Sequence, residues 1–197
     1  MNSRINIAVF ISGTGSNARN IINYFNGKRG GRINVGLIVS NNKESGAKEI
    51  SDDTAVPYHI MNREEFYQKS DVIDLLEEYK IQSIILAGFL WLVPSKLIRE
   101  YPNKIVNIHP ALLPKYGGKG MYGMNVHRAV RLANETETGI TIHIVNEEYD
   151  EGKVLFQKAT SISDDDTPEQ IAQKVHQLEY EFFPIVIENY LLSVFAD

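Results

Sequence analysis

The sequence predicts a single α/β domain over residues 1–197, a mostly parallel sheet with helices on both faces. Three observations carry this. A chain of 197 residues suits one domain and can bury a sizeable core. Strand-like and helix-like segments alternate through its first half. The strand segments are near-continuous apolar runs, as expected of strands covered on both faces.

Ile5 to Ile11 is the first such run, ending at Ser12-Gly13-Thr14-Gly15-Ser16-Asn17. Ala18, Ile21, Ile22 and Phe25 follow at helical spacing, and Gly27 to Gly31 breaks that helix. Ile33 to Ser40 predicts a second strand, Glu44 to Asp52 a short helix, and Tyr58 to Ile60 a short strand. Glu64 to Tyr79 reads as one helix and Ser83 to Leu86 as a buried strand. Lys96 to Tyr101 is a short helix, and Lys104 to Asn107 a strand. Pro110 to Gly123 is a loop, and Val126 to Ala133 a helix. Ile140 to Val145 and Val154 to Phe156 suit an antiparallel pair across the turn at 146–152. Thr167, Pro168 and Gln170 form a capping-box start for a last helix, with Pro184 expected to kink or break it.

Composition narrows the function. With 20 basic against 25 acidic side chains, the chain lacks the basic balance of a nucleic-acid binder. The absence of cysteine rules out disulfides, thiol catalysis and Cys-ligated metal. No run reaches the ~18 apolar residues of a membrane span, and the N-terminus lacks signal-peptide features. A cytoplasmic protein with small-molecule substrates is the expectation.

Gly13-Thr14-Gly15-Ser16-Asn17-Ala18 fits G-x-G-x-x-A between a strand and a helix. Glycines let a ligand approach the backbone, and the helix N-terminus favours an anion. Dinucleotide binding requires an acid at the end of the second strand, where Ser40-Asn41-Asn42 stands instead. A phosphate monoester site is favoured over NAD, with a plain turn as the other reading.

Asn107 and His109 end a buried strand, and period-two alternation places them on one side. An amide and an imidazole at a strand's carboxyl end suit oxyanion stabilisation and proton transfer. Asp150 reads either as a turn acid or as a carboxylate that raises the pKa of a nearby histidine. His143 reads as a core or edge residue. His176 and Glu179, spaced i, i+3, share a helix face that solvation alone could explain. His59 and His127 carry no readable signal. The scattered histidines predict no metal.

Taken in order, the Ile11-to-Asn17 turn, Leu86-Ala87-Gly88-Phe89, Asn107-Ile108-His109-Pro110-Ala111-Leu112-Leu113-Pro114, Gly139-Ile140-Thr141-Ile142-His143 and Asp150-Glu151-Gly152 form a joint pattern. It resembles the phosphoribosylglycinamide formyltransferase family over nearly the whole chain. The resemblance implies a Rossmann-like formyltransferase fold. Its N-terminal half, about 1–100, binds phosphate, and its C-terminal half, about 101–197, holds the folate and catalytic groups. It implies 10-formyltetrahydrofolate as co-substrate, glycinamide ribonucleotide as acceptor, and neither metal nor NAD. A monomer or homodimer fits. Asn107, His109 and Asp150 match the catalytic trio, with His109 protonated and His143 in support. Gly15, Ser16 and Asn17 match the phosphate-binding residues, and Glu179 the acid that contacts the ribonucleotide. Arg63, Leu90, Trp91, Leu92, Val93 and Asn107 match the folate side.

Three departures stand out. Leu90-Trp91 follows Phe89 where the family usually has Met and then Arg or Lys, and an indole cannot replace a cation. Lys115 to Asn125 is a longer, Gly-rich loop that suits a mobile lid, with Lys119 able to face an anion. Glu151 replaces the first of two usual glycines, which should tilt the Asp150 turn. The rivals are another folate-dependent formyltransferase, such as one with a sugar-nucleotide amine acceptor, and a non-catalytic phosphate-binding module.

Overall fold

A computed structural model describes residues 4–27, 31–68 and 71–196. In chain order the elements are β1 (Ile5–Ile11), α1 (Ser16–Asn26), β2 (Ile33–Ser40), α2 (Ala47–Thr54), β3 (Tyr58–Ile60), α3 (Arg63–Tyr67) and α4 (Asp71–Glu78). They continue with β4 (Ser83–Leu86), α5 (Ser95–Glu100), β5 (Ile105–His109), α6 (Met124–Leu132), β6 (Glu137–Ile144), β7 (Val154–Ser161) and α7 (Pro168–Val194). Seven strands form one sheet in the order β3-β2-β1-β4-β5-β6-β7. β1 to β5 run parallel, and β6 and β7 add antiparallel at one side.

The continuous apolar strands have their explanation in β1. Ile5, Ile7, Val9 and Ile11 pack with Ile21, Ile22 and Phe25 of α1 and with Val175, Phe183 and Ile187 of α7. Ala8 and Phe10 point the other way, onto Phe66, Val72 and Leu76. Both faces are therefore buried, and each enclosed Ile or Phe contributes roughly 1.5–3 kcal/mol over exposure.

Several boundaries move from their sequence-based positions. α2 starts at Ala47, because Asn42 turns the chain first: its Oδ1 accepts the Glu44 N–H at 3.0 Å and its carbonyl the Ser45 N–H at 3.2 Å. The expected helix over 64–79 is two helices, α3 and α4, with residues 69 and 70 outside the described residues. Asp71 and Asp74 supply the acids that favour a fresh first turn. The expected break at Gly27 to Gly31 is described only at its ends, since 28–30 lie outside the described residues. There Gly27 closes α1. β5 extends to His109 because β6 pairs with it as far as His109↔Thr141. β7 runs on to Ser161 as the sheet edge, so its polar residues face solvent. The Thr167 capping box is present, with Gln170 Oε1 accepting the Thr167 N–H at 2.8 Å.

Pro184 does not break α7, which continues from Pro168 to Val194. Proline lacks the N–H that would reach the carbonyl four residues back. That carbonyl, on Tyr180, accepts the Asn20 side-chain amide at 2.9 Å instead.

Candidate active site

The site lies at the carboxyl ends of the central strands, where ligands of open α/β sheets bind. β1 and β4 are neighbours at the point where strand order reverses. After β1, Gly15 takes φ +75° and caps α1 with no side-chain hydrogen bond to its first turn. The first N–H groups of α1 are thus left for a ligand. A Cβ on Gly15 would lie 2.6 Å from Ile50 Cδ1, so both φ and packing call for glycine. The turn is braced by backbone: Gly46 N–H donates to Gly13 O at 3.1 Å and Ser12 N–H to Gly88 O at 3.1 Å. Ser12 Oγ accepts the Leu90 N–H at 2.9 Å, tying the turn to the 88–93 segment.

Asn17, on the first turn of α1, donates from Nδ2 to Glu179 Oε2 at 2.9 Å. Its Oδ1 is buried without a partner. Glu179 is buried in α7, and burial raises its pKa, with the Asn17 hydrogen bond and His176 opposing. His176 Nε2 stands 4.0 Å from the same carboxylate.

On β5 the predicted alternation holds. Asn107 sits opposite His143 across the β5–β6 ladder. Asn107 Nδ2 lies 3.0 Å from His143 Nε2 and 3.5 Å from Asp150 Oδ1. His143 Nδ1 donates to the Ile144 carbonyl at 3.1 Å, which leaves Nε2 to accept from Asn107. The amide nitrogen thereby faces the carboxylate, the orientation that charge favours. His109 Nε2 donates to the Tyr116 carbonyl at 2.7 Å, since a carbonyl only accepts. Its Nδ1 then lies 3.4 Å from Asp150 Oδ2. That oxygen also accepts the Gly118 N–H at 2.9 Å.

The protonation expected of His109 needs correction. Burial lowers its pKa below the ordinary value, and the opposing pull of Asp150 and the Tyr116 carbonyl is too weak to reverse it. A ring only 3% exposed loses more hydration than one carboxylate at 3.4 Å restores. Asp150 moves down despite its own burial: the Gly118 N–H donates to it, and a protonated His143 or His109 beside it favours its charged form. Asp150 adopts φ +58° itself. Gly152, whose Cβ would come 1.6 Å from Ile144 O, is the glycine this turn requires, and Glu151 is exposed outside it.

One cavity of about 470 Å³ takes in the Gly13–Asn17 turn, Leu90 to Val93, Asn107, His109, His143, Asp150 and Glu179. Arg63 is absent from its walls, and its guanidinium carbon lies 5.3 Å over the Trp91 ring. Lys119 lines the cavity with the loop glycines 118, 120 and 123, all of positive φ. Among the described residues no group of three or more His, Cys, Asp or Glu is placed to hold a metal ion. No helix among them is long and apolar enough to cross a membrane.

Three participants had no signal in the sequence. The Tyr116 carbonyl and Gly118 N–H act through backbone, which any residue carries. His127 lines the same cavity, is 2% exposed and has no partner for Nδ1. Burial, with help from His176 and His109, pushes it down to about 4. Its place beside Val126 on α6 looked like helix patterning alone.

The family profile described as Formyl transferase matches residues 5–187. The chain belongs to the formyl transferase family. It is 39% identical over 191 residues to the chloroplastic phosphoribosylglycinamide formyltransferase of Arabidopsis thaliana, covering 93% of this chain. It spans 64% of that relative's length. With the phosphoribosylglycinamide formyltransferase of Bacillus subtilis the identity is 32%, over 93% of each chain. The crystal structure of glycinamide ribonucleotide transformylase 1 from Geobacillus kaustophilus superposes with a TM-score of 0.84 at 31% identity. That superposition covers 95% of this chain and 99% of the other. The seven-stranded, mostly parallel sheet is thus the fold of this family.

Proposed function

We propose that the protein transfers the formyl group of 10-formyltetrahydrofolate to the amine of glycinamide ribonucleotide, a step of purine biosynthesis. The observation that carries this is the shared cavity. An uncapped helix N-terminus, a buried carboxylate and the Asn107–His109–Asp150 cluster all open into it. The names of the relatives agree in reaction and acceptor.

In this reading Gly15, Ser16 and Asn17 hold the acceptor's phosphate, and Glu179 binds the same acceptor. Leu90 to Val93 hold the pterin. The amine attacks the formyl carbon, forming the C–N bond and moving an electron pair onto oxygen. The Asn107 amide donates to that oxyanion. Neutral His109 takes the amine proton through Nδ1, directly or by water, and becomes a cation beside Asp150 and the oxyanion. The carbonyl re-forms as the bond to folate N10 breaks, and the proton passes to N10. Asp150 stabilises the transient imidazolium, and His143 orients the Asn107 amide. Burial that keeps His109 neutral at rest suits a base that must first accept a proton.

The test is an assay of purified protein with both substrates. Tetrahydrofolate release that needs both compounds supports the reading. Folate binding without transfer to this acceptor overturns the acceptor assignment, and sugar-nucleotide amines become the next acceptors to try.

A further inference from the structure

Residues 116–118 form a strap behind the His109–Asp150 pair. The Tyr116 carbonyl accepts the His109 Nε2–H at 2.7 Å, and the Gly118 N–H donates to Asp150 Oδ2 at 2.9 Å. Tyr116 sits at φ +57°, a left-handed conformation that an aromatic residue keeps only when its surroundings enforce it. Two side-chain contacts do so. Its ring packs on a small core of Ala111, Val126, Val130, Ile162 and Ile171. Its hydroxyl donates to Glu135 Oε1 at 2.9 Å, and Lys115 Nζ donates to the same oxygen at 2.9 Å. These two donors, Lys115 first, hold the Glu135 pKa below its ordinary value. Glu135 stands in the turn between α6 and β6, where its own N–H donates to the Val130 carbonyl at 3.4 Å. Neither Tyr116 nor Glu135 lines the cavity.

A neutral imidazole carries one N–H, and two acceptors compete for it at His109. The Tyr116 carbonyl faces Nε2 at 2.7 Å, and Asp150 Oδ2 faces Nδ1 at 3.4 Å. The shorter contact keeps the proton on Nε2, and the Gly118 N–H already engages the competing carboxylate oxygen. If the Tyr116 carbonyl withdraws, Asp150 becomes the better acceptor and the proton moves to Nδ1. That nitrogen can then take nothing from an attacking amine. We infer that Glu135, from outside the cavity, is a positioning residue for the transfer: its hold on Tyr116 keeps the His109 proton on Nε2 and so reserves Nδ1 as the base. The inference rests on the base role given to His109 above and extends it to the side chains that choose the nitrogen.

The experiment reads the His109 tautomer by nitrogen-15 NMR of the full chain at pH 8, with the signal assigned by its loss in His109→Gln. No substrate is present, so the reading does not depend on which donor and acceptor the protein uses. The wild type is expected to carry the proton on Nε2. Glu135→Ala is expected to shift the tautomer ratio about tenfold toward Nδ1–H, the equivalent of one ordinary hydrogen bond. Steady-state rates are expected to show kcat down about tenfold, with KM for both substrates within about twofold. Glu135→Gln keeps an oxygen for the Tyr116 hydroxyl and is expected to recover most of both losses. An unmoved tautomer ratio in Glu135→Ala overturns the inference even where kcat falls, because a merely structural anchor slows the reaction without moving the proton. A shifted ratio with unchanged kcat overturns the base role of Nδ1 on which the inference rests. If Glu135→Ala fails to fold, Tyr116→Phe, which removes only the hydroxyl, decides by the same two readings.

Discussion

The two ends of the cavity are built in opposite ways. The Gly13–Asn17 turn is contiguous in sequence and works through backbone. Its shape comes from Gly15 at φ +75° and from backbone bonds to Gly46 and Gly88. The Asn107 cluster works through side chains that lie 36 and 43 residues from Asn107 in sequence. They meet because β5 and β6 pair in one register and the β6–β7 turn returns Asp150 to the ladder's end. A backbone site fails through strain, whereas a side-chain site loses chemistry while the fold persists. Rate and stability measured on the same variant separate those two kinds of failure.

The largest effect is expected from His109→Ala. Loss of a positioned proton acceptor should lower kcat about 10³-fold, some 4 kcal/mol of barrier. Stability should fall far less, by about 1–2 kcal/mol, for the hydrogen bond to Tyr116 O. Steady-state rates and urea melts on one preparation give both numbers. A melt that collapses along with the rate would erase the contrast. Asp150→Asn should follow, with kcat down about 10²-fold. Asp150 is the main group raising the His109 pKa, so removing its charge moves His109 further down. NMR titration of the ring should show the shift, and an unmoved midpoint would separate the pair.

Gly15→Ala should behave in the reverse way. An alanine at φ +75° is strained, and its Cβ would meet Ile50 Cδ1. A loss of about 2–3 kcal/mol in stability is expected. KM for the phosphate-bearing acceptor should rise while kcat stays within about threefold, since no reacting group has changed. A fall in kcat without loss of stability would mean that the turn takes part in the chemistry.

This contrast also explains what was legible in the sequence. The turn was readable because its glycines and its flanking strand and helix are local. Asn107 and His109 were readable as a same-side pair because β5 ends there, but alone they meant little. Asp150 and His143 became site candidates only through the resemblance, since spacing says nothing of a register formed between β5 and β6. The protonation of His109 was the least legible feature: a neighbouring acid is visible in sequence, but the burial that outweighs it at His109 is not. His127 was missed for the same reason.

His127 makes that burial measurable. Its pKa of about 4 against an ordinary 6.5 means the folded state resists protonation. Above pH 6.5 both folded and unfolded forms are neutral there, and the group leaves stability unchanged. As pH falls from 6.5 toward 4, the unfolded chain gains a proton that the folded chain refuses, so stability drops. By pH 4.5 the loss should be about 2 kcal/mol. Chemical denaturation at pH 7 and 4.5 should show His127→Gln losing less than the wild type over that interval. Equal losses would place the acid sensitivity elsewhere.

The smallest effect tests the seam between the two regions. α1 carries Asn17 and α7 carries Glu179, so the acceptor side depends on how these helices sit together. Pro184 leaves the Tyr180 carbonyl without its helical donor, and Asn20 fills that place from α1. A proline that reads as a helix break is thus accommodated by a neighbouring helix. Asn20→Ala should cost about 0.5–1.5 kcal/mol of stability, as for an ordinary hydrogen bond. Pro184→Ala restores an N–H four residues after Tyr180 and so gives that carbonyl a donor again. In the Pro184→Ala background, Asn20→Ala should therefore cost measurably less. A double-mutant cycle that came out additive would show that Asn20 acts through some other contact.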